Sequence, residues 1–318
     1  MKIIGTGSYY PEYILTNKRL EELVETSDEW IKERTGIQER RISQGEGSSV
    51  LAINAAKNAL DNAKIQPEEL DMIILSTITP ECYVPNMACL VQNAIGAYNA
   101  LCIEMNAACT GFVYALHTAN LYLESGMVKK ALVIGVERLS EMIDYTDRTT
   151  CVLFGDGAGA VIVDNSSSSC YAAKLGSDSR KMKALYCKHP SLVNYMSKDN
   201  CQRDYLYMDG QEIFKFVLRI IPRNIKELLE QTNVDVSEIK YFVLHQANKR
   251  ILEAVAKKLN VPEEKFPMNL DKYGNTSSAS VPVLLHEMNE KNMLAKGDKI
   301  VLSAFGGGLT WGTIIIEW

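Results

Sequence analysis

The sequence predicts an α/β protein built from two similar halves, and two observations support this prediction. Apolar runs of strand length alternate with segments whose apolar residues recur at helical spacing, which is typical of sheets covered by helices. Each half also closes on a Phe-Gly-x-Gly turn that leads into a strand, beginning at Phe154 and at Phe305. We therefore expect a duplicated unit, with an N-terminal half over 1–165 and a C-terminal half over 166–318.

The first half begins with a predicted strand over 2–10 and a short amphipathic helix capped by Thr16 or Asn17. Residues 26–37 mix a tryptophan with charged residues, and we interpret them as a functional loop. The later elements alternate in type, with helices over 49–62, 87–95 and 110–124 and strands over 71–77, 100–105 and 130–136, and residues 154–163 form a glycine-rich turn that leads into a further strand. The alternation indicates a parallel sheet, and the apolar helix over 110–124 should be buried between layers.

The second half repeats this order. Its predicted elements are helices over 212–230, 248–259 and 276–289 and strands over 240–245, 265–269 and 299–304, the last leading into a glycine-rich stretch over 305–316 that feeds a final strand. Residues 177–209 are richer in charge and poorer in periodicity, so we expect an inserted surface segment there. If the halves superpose, Cys109 and Asn275 should occupy corresponding positions, each after a strand and before a buried helix.

The composition excludes several classes of protein. A 318-residue chain with 47% apolar residues is long enough for a large core, and its net charge of −5 argues against general affinity for nucleic acid. No apolar run approaches the roughly 18 to 20 residues that a membrane-spanning helix needs. The eight cysteines include no Cys-x-x-Cys pair, and the first residues lack the apolar region of a secretory signal. We expect a reduced, cytoplasmic protein without disulfides.

Cys109 is the candidate nucleophile. It lies between a predicted strand and a predicted helix, and a helix N-terminus favours the thiolate and so lowers the pKa of a cysteine. The alternative is that Cys109 is a small buried apolar residue, the commoner role of a cysteine in apolar surroundings.

Three further stretches could complete a site around Cys109. His245 ends a predicted central strand, where α/β sheets usually carry their sites, although a single histidine at such a place is more often structural. Asn275 could supply an amide donor to a substrate oxygen, or could simply form a turn before a helix. The glycines 306–308 could bring backbone amides to an oxyanion, or could form only a flexible turn. Together these residues make acyl-thioester chemistry plausible.

Beyond these single residues, long motifs along nearly the whole chain resemble those of the β-ketoacyl-acyl carrier protein synthase III family of the thiolase-like superfamily. The motifs that carry the resemblance are Asp28-Glu29-Trp30-Ile31 with Arg34-Thr35-Gly36-Ile37, Asn106-Ala107-Ala108-Cys109-Thr110-Gly111-Phe112, Phe154-Gly155-Asp156-Gly157-Ala158-Gly159-Ala160, His245-Gln246-Ala247-Asn248, Gly274-Asn275-Thr276-Ser277 and Phe305-Gly306-Gly307-Gly308-Leu309-Thr310-Trp311-Gly312.

The resemblance implies a five-layered αβαβα thiolase fold, a homodimer and a catalytic triad of Cys109, His245 and Asn275. Cys109 would take an acyl group from acyl-coenzyme A (acyl-CoA), with the oxyanion held by the backbone amides of Cys109 and Gly307. Malonyl-acyl carrier protein would then lose carbon dioxide while His245 and Asn275 donate hydrogen bonds to its thioester oxygen. This condensation would initiate type II fatty acid synthesis, with acyl-CoA as a substrate and neither a cofactor nor a metal ion required.

The resemblance also implies binding residues. Trp30 would stack on the adenine of coenzyme A (CoA), beside Thr26, and the alternative for Trp30 is a place in the core. The other positions expected to contact CoA are Arg34, Arg148, Gly210 and Asn248. The basic patch expected to receive the acidic carrier protein consists of Lys215, Arg250, Lys257 and Lys258. For Lys257 and Lys258, a solvated helix face is an equally good interpretation.

Val84 is a departure from the family pattern. Many acetyl-selective relatives carry phenylalanine at this position, contributed across the dimer to close the acyl pocket. A smaller side chain should leave more room, so we expect tolerance for primers longer or bulkier than acetyl.

Related activities fit the sequence less well. A thiolase needs a second, C-terminal cysteine, but no cysteine follows Cys201, and a hydroxymethylglutaryl-CoA synthase lacks the full glycine-rich ending found here. A ketosynthase of specialised metabolism that uses another acceptor remains the closer alternative. A catalytically silent scaffold would have lost the triad, whose three residues are all present.

Overall fold

The computed structural model describes residues 1–166, 170–188 and 204–318. The strands are β1 Lys2–Tyr9, β2 Ile14–Thr16, β3 Glu39–Arg41, β4 Met72–Ser76, β5 Leu101–Met105, β6 Lys130–Arg138, β7 Asp156–Asp164, β8 Tyr171–Ser177, β9 Leu185–Tyr186, β10 Tyr207–Met208, β11 Ile239–Leu244, β12 Lys299–Gly306 and β13 Thr310–Glu317. The helices are α1 Asn17–Leu20, α2 Asp28–Thr35, α3 Ser48–Ala63, α4 Met87–Ile95, α5 Gly111–Glu124, α6 Arg148–Cys151, α7 Gly210–Thr232, α8 Lys249–Leu259, α9 Leu270–Tyr273 and α10 Ser280–Glu290.

Two large sheets repeat one strand pattern. The first has the order β1-β7-β6-β4-β5 and the second the order β8-β13-β12-β11. In each sheet the first three strands pair antiparallel, and the next pair, β6 with β4 or β12 with β11, is parallel. The predicted parallel sheet is therefore only partly correct, because the closing strand of each half, β7 or β13, runs antiparallel to the other strands of its sheet. The division at residue 165 stays a prediction, since residues 167–169 lie outside the described residues.

The two sheets and three helical layers form the expected αβαβα arrangement. Helices α3 and α4 cover the outer face of the first sheet, α7 and α8 cover the second sheet, and α5 and α10 lie between the two sheets. A helix enclosed on both sides must be apolar around much of its circumference. The central helices meet this requirement with the buried residues Phe112, Val113, Leu116, Ala119, Val281, Leu284, Leu285 and Met288.

Gly135 allows the central layer to approach the first sheet. A Cβ added to this β6 residue would lie 2.4 Å from the Ser278 carbonyl oxygen. Any side chain there would push away the turn that precedes α10. The close approach places the end of β6 directly against the turn that contains Asn275.

Two local predictions are wrong. Residues 26–37 contain the helix α2, because the Ser27 side chain accepts a hydrogen bond from Trp30 N and Gly36 ends the helix at φ 82°. Residues 265–269 form no strand; a 3-10 turn over Glu263–Lys265 is followed by irregular chain. Pro267 has no N–H to donate to a strand ladder, so the second sheet stops at four strands in the described part of the chain.

Two other segments differ in detail. The helix predicted over 276–289 begins as a 3-10 turn, Ser277–Ala279, before α10. The segment 177–209 contributes the small β9–β10 sheet, while its residues 189–203 lie outside the described residues.

Candidate active site

Cys109 lies in a tight turn between β5 and α5. The turn is a 3-10 segment, Ala108–Thr110, and it begins with Ala108 at φ 46°, a left-handed conformation that costs a non-glycine residue energy. The Asn106 side-chain oxygen accepts a hydrogen bond from Ala108 N at 3.2 Å and so supports the turn. Cys109 is 8% exposed at the edge of two cavities.

The same turn occurs before α10. The Asn275 side-chain oxygen accepts from Ser277 N at 2.9 Å, Ser277 has φ 50°, and a 3-10 turn then leads into the helix. The matching positions are thus Asn106 with Asn275 and Cys109 with Ser278. The predicted correspondence of Cys109 with Asn275 is wrong by three residues. Because the Asn275 oxygen is engaged by the turn, its NH₂ group is the part free to face the cavity.

His245 follows β11 and is buried. Its Nδ1 lies 2.7 Å from the Ser280 hydroxyl, which is also 2.9 Å from the Ser277 carbonyl oxygen. The hydroxyl proton can serve only one of these acceptors at a time, so Ser280 controls which ring nitrogen of His245 carries the proton. Burial lowers the pKa of His245 to about 3, so the ring is neutral at physiological pH.

The ionisation of Cys109 differs from the prediction. Burial, with a smaller contribution from the charge of Glu137, raises the pKa of its thiol to about 12 against the opposing effect of hydrogen bonding by Ser277 and the backbone. The expected lowering of the Cys109 pKa by a helix N-terminus is outweighed by burial, because the central helical layer shields the sulfur from water. The resting site therefore holds a neutral thiol, and its proton must be accepted when the sulfur attacks.

One cavity brings the three triad candidates together. A cavity of ≈ 390 Å³ is lined by Cys109, His245 and Asn275. It also contains five of the residues expected to contact CoA or the carrier protein, namely Arg34, Gly210, Lys215, Asn248 and Arg250. Most of its remaining lining is apolar, as a channel for a flexible pantetheine arm would require.

A second cavity opens on the other side of Cys109. Its lining includes the apolar side chains of Met105, Leu139, Met142 and Leu206. Cys109 thus stands where the two cavities meet. Val84 does not line this cavity in its own chain; it is 86% exposed on the neighbouring loop.

The predicted nucleotide residues form a cluster on α2 and α6. The Arg148 guanidinium carbon lies 5.0 Å from the Trp30 ring centroid, and that of Arg34 lies 6.0 Å from it. Arg148 also donates a 2.8 Å hydrogen bond to the Glu25 carbonyl. Within the described residues the buried Thr26 hydroxyl has no hydrogen-bond partner, although it needs one.

The remaining basic positions separate into two groups. Lys215 and Arg250 lie at the cavity, and Lys215 pairs with Glu212 at 3.2 Å. Lys257 and Lys258 lie in the last turn of α8, outside the cavity lining, and Lys258 Nζ donates to the Leu218 carbonyl at 3.0 Å. The structure therefore does not bring Lys257 and Lys258 to the cavity mouth.

The glycine-rich turn between β12 and β13 lies against Cys109. A Cβ added to Gly306 would lie 2.8 Å from Cys109 N, so only glycine permits this approach. The Thr310 hydroxyl lies 3.3 Å from the Ala107 carbonyl and 3.1 Å from the Gly307 carbonyl. It thereby links the two turns whose amides, at Cys109 and Gly307, are the oxyanion candidates.

Several supporting residues have no clear functional signal in the sequence. Ser277, Ser280 and Thr310 orient the triad or its turns, and the buried carboxyl of Glu137 lies beneath Cys109. Ser277 and Ser280 fall within a serine-rich stretch that indicates only a helix cap. The one sequence signal that could have identified Glu137 is its position as a charged residue at the end of an apolar strand.

Comparisons with known proteins agree with this geometry. The family described as 3-oxoacyl-acyl-carrier-protein (ACP) synthase III matches residues 103–179, and its C-terminal part matches 229–318. The chain is 50% identical over 324 residues to the β-ketoacyl-acyl-carrier-protein synthase III of Clostridium novyi, covering 100% of this chain and 99% of that relative.

Solved structures give the same result. The 3-oxoacyl-acyl-carrier-protein synthase III of Aquifex aeolicus superposes with a TM-score of 0.93 at 46% identity, covering 100% of this chain and 99% of the other. The priming β-ketosynthase of the R1128 polyketide pathway superposes with a TM-score of 0.94 at 32% identity, covering 99% and 96%. The prediction from the motifs is confirmed, and the chain belongs to the β-ketoacyl-acyl carrier protein synthase III family.

Proposed function

We infer that this protein catalyses the decarboxylative Claisen condensation of an acyl-CoA primer with malonyl-acyl carrier protein, the step that initiates type II fatty acid synthesis. The observation that carries this function is the position of Cys109 where two cavities meet, with His245 and Asn275 lining the same cavity. The product is a 3-ketoacyl-acyl carrier protein. A role in specialised metabolism is not favoured, because the R1128 priming enzyme is 32% identical to this chain, whereas the synthase III enzymes of Clostridium novyi and Aquifex aeolicus are 50% and 46% identical.

In the first half-reaction the Cys109 sulfur attacks the acyl thioester. The phosphopantetheine arm would lie in the apolar cavity, and the acyl chain would enter the cavity beyond Cys109. The backbone amides of Cys109 and Gly307 would stabilise the tetrahedral oxyanion, and Thr310 keeps their two turns together. CoA leaves and the acyl group stays on the sulfur.

In the second half-reaction malonyl-acyl carrier protein loses carbon dioxide. His245 and Asn275 would donate hydrogen bonds to the thioester oxygen, where negative charge develops. The Asn275 amide is already oriented for this, and His245 can donate through Nε2 when the Ser280 hydroxyl donates to Nδ1. The resulting enolate attacks the acyl-cysteine. Neither half-reaction in this proposal needs a metal ion or a prosthetic group.

The binding assignments belong to the same proposal. Trp30, Thr26, Arg34 and Arg148 would hold the CoA nucleotide, and the unpaired Thr26 hydroxyl supports this because a ligand can supply its missing partner. Gly210 and Asn248 would line the pantetheine path. The carrier protein would contact Lys215 and Arg250 at the mouth, with Lys257 and Lys258 farther along α8.

A homodimer is also part of the proposal. Strand β5 is at the edge of the first sheet, where a second copy could continue the strand pairing. Apolar side chains near this edge are exposed, including Leu101 at 46% and Tyr98 at 71%. None of the described helices is long and apolar enough to cross a membrane. We place the protein in the cytoplasm, where acyl-CoA and acyl carrier protein are available.

Radiolabelled acyl-CoA substrates test the function. We expect the label to attach to Cys109 in the absence of malonyl-acyl carrier protein and to move to the carrier protein when it is added. Peptide mapping locates the label. Label that never reaches Cys109 would sink the assignment of the nucleophile, and label that moves to an alcohol or amine would identify a different acceptor.

Val84→Phe tests the proposed breadth of the acyl pocket. In a homodimer this exposed residue would reach the partner's acyl cavity, so a larger ring should exclude longer primers. We expect the ratio of kcat/KM for isobutyryl-CoA to that for acetyl-CoA to fall by about tenfold or more. A native protein that already prefers acetyl-CoA over butyryl-CoA and isobutyryl-CoA would contradict the proposal.

A further inference from the structure

Glu137 is a buried carboxyl group that the condensation described above does not use. It lies near the end of β6 and is 0% exposed. Ile78 N donates to its Oε2 at 3.0 Å, and the Ser278 hydroxyl donates to its Oε1 at 2.8 Å. Within the described residues it forms no ion pair, so only neutral donors hold it. A carboxyl kept in the core without a cation is costly and invites a functional explanation.

Ser277 connects this carboxyl to Cys109. Its hydroxyl donates to Glu137 Oε1 at 3.2 Å, and Ser277 lines the second cavity beside Cys109, whose thiol pKa it lowers. A hydroxyl has one proton to donate and can accept another. With this proton directed to the carboxylate, the Ser277 oxygen is free to accept the thiol proton and so would connect the sulfur to the carboxylate.

Few other ionisable groups can influence the path from Cys109 through Ser277 to Glu137. Arg138, the next residue on β6, directs its guanidinium to Glu141, with Nε at 3.0 Å from Oε2. On the adjacent β7, Asp156 accepts hydrogen bonds from Ser140 and Ser43. The loop after β4 and the turn before α10 face Glu137 with hydroxyl and amide groups. Cys109 is therefore the ionisable group on which the charge of Glu137 acts, raising the pKa of its thiol.

The electrostatics favour proton transfer over simple ionisation. The Glu137 charge helps to raise the pKa of Cys109, so a thiolate and a carboxylate disfavour each other in this core. If the thiol proton moves to the carboxylate, the cluster keeps one negative charge throughout. Burial raises the pKa of Glu137 to about 7 and lowers the pKa of His245 to about 3, so Glu137 is the stronger base.

We propose that Glu137 receives the Cys109 proton through Ser277 and stores it while Cys109 carries the acyl group. The S–H bond breaks and a bond from that proton to the Ser277 oxygen forms, while the original hydroxyl proton bonds to Glu137. The electron pair left on sulfur forms the bond to the acyl carbon. The inference rests on the proposed acyl transfer.

The proton balance closes over the whole cycle. CoA leaves as a thiolate and takes a proton from solvent. When the enolate displaces Cys109, the sulfur leaves as a thiolate and recovers its own proton from Glu137 through Ser277. The carboxylate lost as carbon dioxide accounts for the one solvent proton consumed. During decarboxylation Glu137 is neutral, so the enolate does not form beside a second negative charge.

The first test measures the reactivity of Cys109 with iodoacetamide as a function of pH. In the unchanged protein the rate should rise through about pH 7, because Glu137 accepts protons only in its carboxylate form. Glu137→Gln and Ser277→Ala should each lose this step and react about 10²-fold more slowly above it. The double variant should react with iodoacetamide no more slowly than either single variant, because both substitutions interrupt the same proton path.

Ser278→Ala is the matched control. It removes a hydrogen bond to Glu137 but leaves the connection through Ser277 intact. Because that bond lowers the pKa of Glu137, we expect the step to persist and to move to higher pH. Glu137→Gln or Ser277→Ala with an unchanged pH profile would overturn the proposal, as would loss of the step in Ser278→Ala. Thermal melting identifies any variant that fails to fold. If only one of Glu137→Gln and Ser277→Ala folds, that variant alone tests the proposal.

The second test follows the stored proton directly. Infrared difference spectra recorded during acylation by acyl-CoA should show a new protonated-carboxyl C=O band, absent in Glu137→Gln and Ser277→Ala. Acylation without this band would refute storage on Glu137. Absence of acylation in the unchanged protein would refute the proposed function instead, and the iodoacetamide profile would still test the chain because it uses no acyl substrate.

Discussion

Replacing Cys109 with alanine should abolish acylation of the protein and lower condensation by at least ~10⁴-fold. Decarboxylation of malonyl-acyl carrier protein should continue, because the hydrogen-bond donors assigned to that step, His245 and Asn275, remain in the cavity. The smaller side chain also leaves the turn intact, since Ala108 and not Cys109 carries the positive φ. Mass spectrometry of the intact protein reports acylation, and release of carbon dioxide reports the second step.

Cys170→Ala is the control for this experiment. It removes another thiol, at the start of the second sheet and outside both cavities. It should be acylated like the unchanged protein. Acyl transfer that survives in Cys109→Ala would show that another residue is the nucleophile.

Replacing Asn275 with aspartate should lower condensation about 10³-fold and leave acylation of Cys109 within about tenfold. Aspartate can keep the hydrogen bond from Ser277 N, so the turn should hold. The NH₂ group that faces the cavity becomes an oxygen, and an oxygen there withdraws a donor and repels the developing enolate. Single-turnover acylation and steady-state condensation separate the two effects.

Asn58→Asp makes the same change of charge on the outer helix α3. It should condense at the normal rate, which excludes an effect of net charge alone. If Asn275→Asp slows acylation as strongly as condensation, Asn275 acts in the first half-reaction and the assignment to decarboxylation is wrong.

Much of the fold could be predicted because its signals are local. The period of the apolar residues identified the buried helix α5 and the strand β4, and the repeated Phe-Gly-x-Gly turns indicated duplication. The predicted strand over 265–269 failed because Pro267 removes a ladder donor that the apolar pattern does not register. The helix α2 was missed because its signal is a serine cap amid charged residues.

The sequence predicted which residues form the site better than it predicted how their pKa values are shifted. The motifs gave Cys109, His245 and Asn275, and the cavity contains all three. The direction of the Cys109 pKa shift was wrong, because burial by the central layer depends on packing of both halves and outweighs the turn's amides. Glu137 could not be connected to Cys109 from sequence, since the two residues are brought together by the packing of β6 and the Cys109 turn against the turn before α10.

The repeated turn has a consequence for how this site could arise. One backbone conformation presents sulfur at Cys109 in the first half and a hydroxyl at Ser278 in the second, and that hydroxyl holds Glu137. A symmetric ancestor would have carried identical residues at both places. Divergence after duplication then needed only a change of side chain at one of two equivalent positions. New chemistry could therefore evolve while the backbone conformation of the turn stayed the same.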